Sequence, residues 1–444
     1  VTSDTGTAAL SATGLLTDHY ELTMIRAALE GGTADRRTIF EMFARQLPPG
    51  RRYGVVAGTG RFLDALARFS FGPAELAFLR SAGIIDQRTE RFLAGYRFSG
   101  SIWGYAEGEC YFPGSPILVV DGTFAEAVVL ETLALSVFNH DCAVACAASR
   151  MVTAAGRRPI IEMGSRRTHE IAAVAAARAA YIAGFAATSN LRAGLDYGVP
   201  TAGTSAHAFT LVHDNERQAF GVQIEALGQD TTLLVDTYDV PTAVRTAVEL
   251  AGSALGAVRI DSGDVAEVAR GVRAQLDSLG AARTRIVVTG DLDEYAIAEL
   301  STAPVDGYGV GTALVTGSGA PTAALVYKLV ARSADGEPVL VPVAKRSVGK
   351  PSIGGRKWAA RGQNDTGTAC AEIVSLTPVS DRQGLRPLLR QLVRDGEIIG
   401  AEPLPVARSR HQRALAELPA QARDLNPGEP AIPTRFSSVS ALGQ

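Results

Sequence analysis

The sequence predicts an α/β fold, a seven-stranded (β/α) barrel preceded by an α+β domain. Three observations carry the prediction. From about residue 126, short apolar segments alternate with helical patterns, and strict β-then-α alternation implies a parallel sheet. The alternating part spans roughly 200 residues, a size that suits a barrel. Each apolar segment also ends in a polar or glycine-rich cluster, and the strand ends are where barrels carry their chemistry. The chain has 444 residues, 46% of them hydrophobic, which is enough for folded cores.

Residues 1–125 make the α+β domain. The first 14, rich in Thr, Ser, Ala and Gly, form a loose terminus. Leu15, Leu16, Leu22, Ile25 and Leu29 have helical spacing, whereas 37–47 alternates Ile39, Glu41 and Phe43 against Phe40, Met42 and Ala44, a strand with two occupied faces. Short helices are expected over 60–69 and 73–81, and several short antiparallel strands with Gly and Pro turns over 98–120.

Residues 126–335 make the barrel. A helix over 126–148 leads into strands near 158–162, 183–188, 198–202, 232–236, 257–261, 285–289 and 305–310. Helices fill 168–181, 241–254, 264–279 and 293–301. Residues 336–444 make a basic loop and a C-terminal segment that packs back on the first domain. Strands are expected at 322–330 and 340–346, and helix with Pro-rich loop after 380.

Composition excludes several function classes. With 43 basic against 46 acidic residues there is no basic excess for nucleic acid and no polybasic tail for a membrane. No apolar run reaches the ~18 residues of a membrane span, and Ile171–Ala187, interrupted by Arg178, is expected to be a buried helix. No signal-peptide pattern opens the chain, and Cys110, Cys142, Cys146 and Cys370 show no disulfide pattern, so a cytoplasmic protein is expected. Cys142 and Cys146 share a helical face, but His140 alone does not complete a metal site, so no resident metal is expected.

The strand-end clusters suggest chemistry. Gly309-Val-Gly311-Thr312 can bring backbone amides and a hydroxyl to a phosphate, and Gly290-Asp291 one strand earlier reinforces it. Arg259, Asp261 and Asp264 offer two carboxylates and a guanidinium, suited to ribose hydroxyls, a divalent metal or a developing cation, or else to a salt-bridged loop. Asp264 and Asp291 are also natural helix caps. His207, in Gly-Thr-Ser-Ala-His, is the nucleophile or base candidate. Arg166 can hold a carboxylate in bidentate fashion. The acid-free stretch 338–364 carries Lys345, Lys350, Arg356 and Lys357, and is expected to be a mobile loop reaching ATP or pyrophosphate, or else a basic surface loop.

Taken together, Leu15-Leu-Thr-Asp-His-Tyr-Glu-Leu-Thr-Met24, Phe40-Glu-Met-Phe43, Gly164-Ser-Arg-Arg167, Ser189-Asn190, Gly198 to His207, Arg259 to Asp264, Gly309 to Thr312 and Val326-Tyr-Lys-Leu329 resemble nicotinate phosphoribosyltransferases. The resemblance implies an irregular seven-stranded barrel of the type II phosphoribosyltransferases. It implies a reaction joining nicotinate to phosphoribosyl pyrophosphate, giving nicotinate mononucleotide and pyrophosphate in NAD synthesis, with ATP as co-substrate and Mg2+ alongside the phosphates. By motif, His207 is the histidine that ATP phosphorylates and Arg166 holds the pyridine carboxyl. Arg259, Asp261 and Asp264 surround the ribose and pyrophosphate, Gly309, Gly311 and Thr312 hold the 5′-phosphate, and Thr204 and Gly290 are further substrate-binding residues. Asp18 and Tyr20 come from a neighbouring subunit, which implies a homodimer. Met163 stands where relatives often stack an aromatic on the pyridine, so Tyr20 is then the main ring partner. Beside Ser189, neutral Asn190 does not repel a carboxylate as the Asp of nicotinamide-using relatives would, which favours nicotinate. A quinolinate-using relative shares the barrel without ATP coupling, and Gly203-Thr-Ser-Ala-His207 argues against it.

Overall fold

The computed structural model describes residues 12–334, 339–345, 353–381 and 384–437. They divide into two units, one made of residues 1–143 with 322–444 and the other of 144–321. The boundaries expected at 125 and 335 therefore move. Strand Leu325–Ser333 pairs along its length with Arg37–Ala44, so it belongs to the first unit rather than to the barrel.

The first unit is built on a seven-stranded antiparallel sheet. Its order is Leu340–Pro342, Leu325–Ser333, Arg37–Ala44, Leu118–Thr123, Ser101–Tyr105, Leu389–Arg394, Glu397–Ile398. Arg37–Ala44 is buried on both faces, as its alternation predicts. Phe40 and Met42 enter the large core with Leu22, Ile25 and Phe62, and Ile39 packs on the other side with Val119 and Val330. Helices His19–Glu30, Thr59–Leu66 and Pro73–Ser81 cover it close to their predicted places.

A second sheet in this unit was not read from the sequence. Leu385–Pro387, Trp358–Gln363, Ala369–Ser375 and Thr434–Ser437 make four strands, where the sequence suggests a basic loop over 338–364 and helix with Pro-rich loop after 380. Its centre is polar: Arg361, with no exposed surface, pairs with Glu372 at 3.0 Å, and Tyr105 donates to the same carboxylate at 2.6 Å. Buried ionic residues break the apolar alternation by which strands are recognised.

The second unit is an open, strongly curled half-barrel. Its strands are β1 (Ile160–Glu162), β2 (Ala187–Thr188), β3 (Thr232–Leu234), β4 (Ala257–Ile260), β5 (Arg285–Val288) and β6 (Gly307–Val310). They run parallel in the order β2-β1-β6-β5-β4-β3. The segment expected as a strand at 198–202 makes only one bridge, Thr188 to Thr201. Pro200 has no N–H to donate and so cannot extend the ladder.

Helices follow most strands, and Asn190, Asp239, Asp264 and Asp293 cap them by accepting backbone N–H groups. The long helical stretch Phe124–Ala155 has the length and apolarity of a membrane span, but 67% of its most apolar window is buried inside the protein, as in a core helix.

Candidate active site

The C-terminal ends of β1, β4, β5 and β6 surround a cleft of about 210 Å3, lined by Met163, Arg166, Arg259, Asp261, Gly290 and Thr312 among others. Gly309 and Gly311 line it as well. The reason for glycine at 309 is close approach. A Cβ there would lie 2.5 Å from Thr289 Cγ2 and 2.7 Å from Met163 Sδ. Gly290 has φ +96°, and Asp291 beside it, at φ +24°, holds a left-handed backbone that few non-glycine residues adopt.

The polar side of the cleft is a hydrogen-bonded lattice around Arg259. This buried guanidinium donates to Thr289 Oγ1 at 3.0 Å, to Ser205 O at 3.1 Å and to the Thr204 hydroxyl, and its Nη2 is 3.3 Å from Asp261 Oδ1. Thr289 also donates to Asp261. Burial raises the Asp261 pKa, but the Thr289 hydroxyl, the Arg259 guanidinium and His207 outweigh it and hold the carboxyl below its ordinary range.

His207 opens the short helix His207–Leu211. Its Nε2 lies 3.9 Å from both Asp236 Oδ1 and Asp261 Oδ2, and its Nδ1 is 3.2 Å from the Thr237 hydroxyl. Asp236 and Thr289 also belong to the site, although the strand-end clusters that contain them do not single them out. The Asp236 side chain is 3% exposed. Its Oδ2 accepts from Asp261 N at 2.9 Å and from Ser262 Oγ at 2.7 Å, while its buried Oδ1 has no hydrogen-bond partner among the described residues. Both residues directly follow apolar strand segments, and that position was the available signal.

Other expected site residues have identifiable local work. Asp264 caps helix Val265–Ser278, accepting from Glu267 N at 3.1 Å. Asn190 caps Leu191–Tyr197, accepting from Ala193 N at 2.8 Å, and Ser189 N donates to Glu162 O at 2.8 Å. In the first unit, Asp18 precedes helix His19–Glu30 and Tyr20 is 45% exposed.

Two of the four residues of the expected basic loop are packed inward. Lys357 is buried, 2.8 Å from Glu41 Oε2. Arg356 is sandwiched between Trp103 and Trp358, with its Cζ 3.9 and 4.4 Å from the ring centroids, and lies 3.6 Å from Asp121. Both are packed into the first unit and cannot reach out to a ligand from there. Lys345 is exposed beyond strand Leu340–Pro342, and Lys350 lies outside the described residues.

A parallel α/β half-barrel with this lattice at its strand ends defines the architecture of an α/β-barrel enzyme. Residues 15–139 match the model of the nicotinate phosphoribosyltransferase N-terminal domain. The nicotinate phosphoribosyltransferase pncB1 of Mycobacterium tuberculosis is 60% identical over 95% of each chain. That of Bacillus subtilis is 36% identical over 78% of this chain and 72% of its own. The crystal structure of human nicotinic acid phosphoribosyltransferase superposes with a TM-score of 0.79 at 25% identity, covering 95% of this chain and 97% of the human one. The chain belongs to the nicotinate phosphoribosyltransferase family.

Proposed function

We propose that the chain joins nicotinate to phosphoribosyl pyrophosphate, forming nicotinate mononucleotide and pyrophosphate for NAD salvage, and couples this to ATP hydrolysis through a phosphohistidine at His207. The observation that carries the reading is His207 set against Asp236, Asp261 and Thr237 at the mouth of the Arg259 lattice. The two carboxylates, each 3.9 Å from Nε2, favour the tautomer with its proton on that nitrogen through their charge, and they repel a phosphoryl group from that side. Nδ1 faces only a neutral hydroxyl and is the nitrogen whose lone pair can take the phosphoryl group.

The cleft suits the second substrate. The Gly309–Thr312 backbone offers N–H groups to a 5′-phosphate. As pyrophosphate leaves, positive charge grows on the ribose, and an Asp261 kept ionised by its neighbours stabilises it electrostatically. Arg259 keeps that carboxylate in place and adds a cation for the departing phosphates. Arg166, on the β1 side of the cleft, holds the nicotinate carboxylate. Met163 lines the same cleft and packs on the ring through its thioether.

Mg2+ fits this site as a companion of the substrate. Among the described residues no three His, Cys, Asp or Glu side chains are grouped to hold a metal, so a small hard cation would be held by phosphate oxygens with Asp236 or Asp261. Its chemistry would be to neutralise the leaving pyrophosphate.

The reading extends to assembly. Asp18 and the exposed Tyr20 complete the nicotinate site of a neighbouring copy. Leu191, Leu195, Leu211 and Val212, each 60% exposed or more on the half-barrel unit, support a homodimer. The half-barrel is the irregular barrel of the type II enzymes, its seventh strand reduced to the Thr201 bridge. The enzyme works in the cytoplasm, without nucleic acid or membrane. The test is product formation with and without ATP in the wild type and in His207→Ala. ATP is expected to accelerate only the wild type, and equal rates throughout would remove the coupling.

A further inference from the structure

Glu162 presents an unusual problem. It is the last residue of β1 and has no exposed surface, yet among the described residues no cation pairs with it. Burial pushes its pKa up, and only hydrogen bonds from Thr188 and from Gly164 N–H oppose that. Keeping a carboxyl inside without a cation is costly, so its two contacts should account for it. One reaches forward to the backbone of Gly164, two residues along, and the other reaches across to the hydroxyl that ends β2.

The chain of contacts continues from there. Thr188 Oγ1 accepts from Asn190 N at 2.9 Å, and Asn190 Nδ2 donates to Ser165 Oγ at 2.9 Å. Arg167 N donates to Gly164 O at 2.8 Å, which closes the turn. Gly164 and Ser165, the two residues before Arg166, are therefore tied back to the ends of both strands. Among the described residues the brace makes no bond to the Arg166 guanidinium, which stays exposed at the cleft.

We propose that Glu162, acting through Thr188, Asn190 and Ser165, is a positioning residue that aims Arg166 at the pyridine carboxylate and so sets selectivity for nicotinate. The inference rests on the assignment of Arg166 to that carboxylate. It also gives Asn190 a second role, as the donor that holds Ser165, beyond its lack of charge.

The test separates the brace from the assignment. Steady-state kinetics would be compared for the wild type, Ser165→Ala, Thr188→Val, Thr188→Ser, Arg166→Ala and the Ser165→Ala/Arg166→Ala double variant, each checked for native melting. Losing one link is worth about one tenfold step. Ser165→Ala and Thr188→Val should raise the KM for nicotinate about tenfold and leave the KM for phosphoribosyl pyrophosphate within about twofold of the wild type. Thr188→Ser keeps the hydroxyl and should behave like the wild type. With Arg166 already removed, Ser165→Ala should add nothing, because the brace acts only through that residue. An unchanged nicotinate KM in both brace variants, or a full extra penalty in the double variant, overturns the inference while leaving Arg166 in its role. An unchanged nicotinate KM in Arg166→Ala overturns the assignment itself, and the inference with it.

Discussion

Thr289→Val is the most informative single change at the site. Thr289 is 3% exposed, and its hydroxyl both donates to Asp261 and accepts from Arg259 Nε at 3.0 Å. Valine keeps the shape and removes both bonds. A hydrogen bond to a charged group is worth about 1.5–3 kcal/mol. Asp261 retains Arg259 Nη2 at 3.3 Å, so the loss at the carboxylate should fall at the lower end, about 1.5 kcal/mol, or about one pKa unit. The sign follows from the ionised form. Thr289 stabilises the carboxylate and lowers its pKa, so removing it raises the pKa, and the acid limb of kcat/KM should move up by about one pH unit. At alkaline pH, where Asp261 is ionised in both proteins, the orphaned Arg259 Nε should still cost about tenfold. The assay is kcat/KM for phosphoribosyl pyrophosphate across pH, with Thr289→Ser as the rescue. Superimposable acid limbs in the wild type and Thr289→Val, or a serine variant no better than valine, would show that the Thr289 hydroxyl does not tune Asp261.

Three further outcomes are expected. Burial, with the charges of Asp239 and Asp236, pushes Glu216 up to about 7, so ionising it costs stability as pH rises from its ordinary range through 7. Glu216→Gln should melt like the wild type near pH 5 and gain about 1 kcal/mol by pH 8, a figure kept small because the side chain is partly solvated, and an equal gain at both would contradict this. Lys357→Met leaves the buried Glu41 without its cation and should cost about 3–5 kcal/mol in denaturant unfolding with no change in the KM for ATP; a raised KM at native stability would return Lys357 to the ATP site. Gly309→Ala must displace Thr289 and Met163 and should cost about 1–3 kcal/mol, with a raised KM for phosphoribosyl pyrophosphate; an unchanged KM would place the phosphate elsewhere.

Much of the fold could be read wherever burial is apolar and periodic. Helix Pro73–Ser81 and strands β4 and β5 lie where their patterns put them. The reading failed where ionic groups are buried. Arg361, Glu372 and Lys357 are interior residues, but in a sequence they look like surface, so the second sheet reads as loop and Lys357, just before its strand Trp358–Gln363, as a ligand contact. At the site, residue types and strand-end positions were enough to bring out His207, Arg259 and Asp261. Asp236 faces His207 directly and is marked only by its strand-end position, whereas Thr289 and Glu162 act through others, Thr289 through Asp261 and Glu162 through Thr188 and Asn190. Such roles depend on which strands are neighbours, and the order β2-β1-β6-β5-β4-β3 is not written in local pattern.

His207 is proposed to carry a phosphoryl group from ATP to the reaction. The direct measurement is incubation with ATP labelled at its γ-phosphate, followed by mapping of the adduct and a chase with nicotinate and phosphoribosyl pyrophosphate. An acid-labile, base-stable label on His207 that is discharged by the chase, and absent in His207→Ala, is the predicted result. ATP hydrolysis with no labelled protein, or a label that persists in His207→Ala, would contradict it.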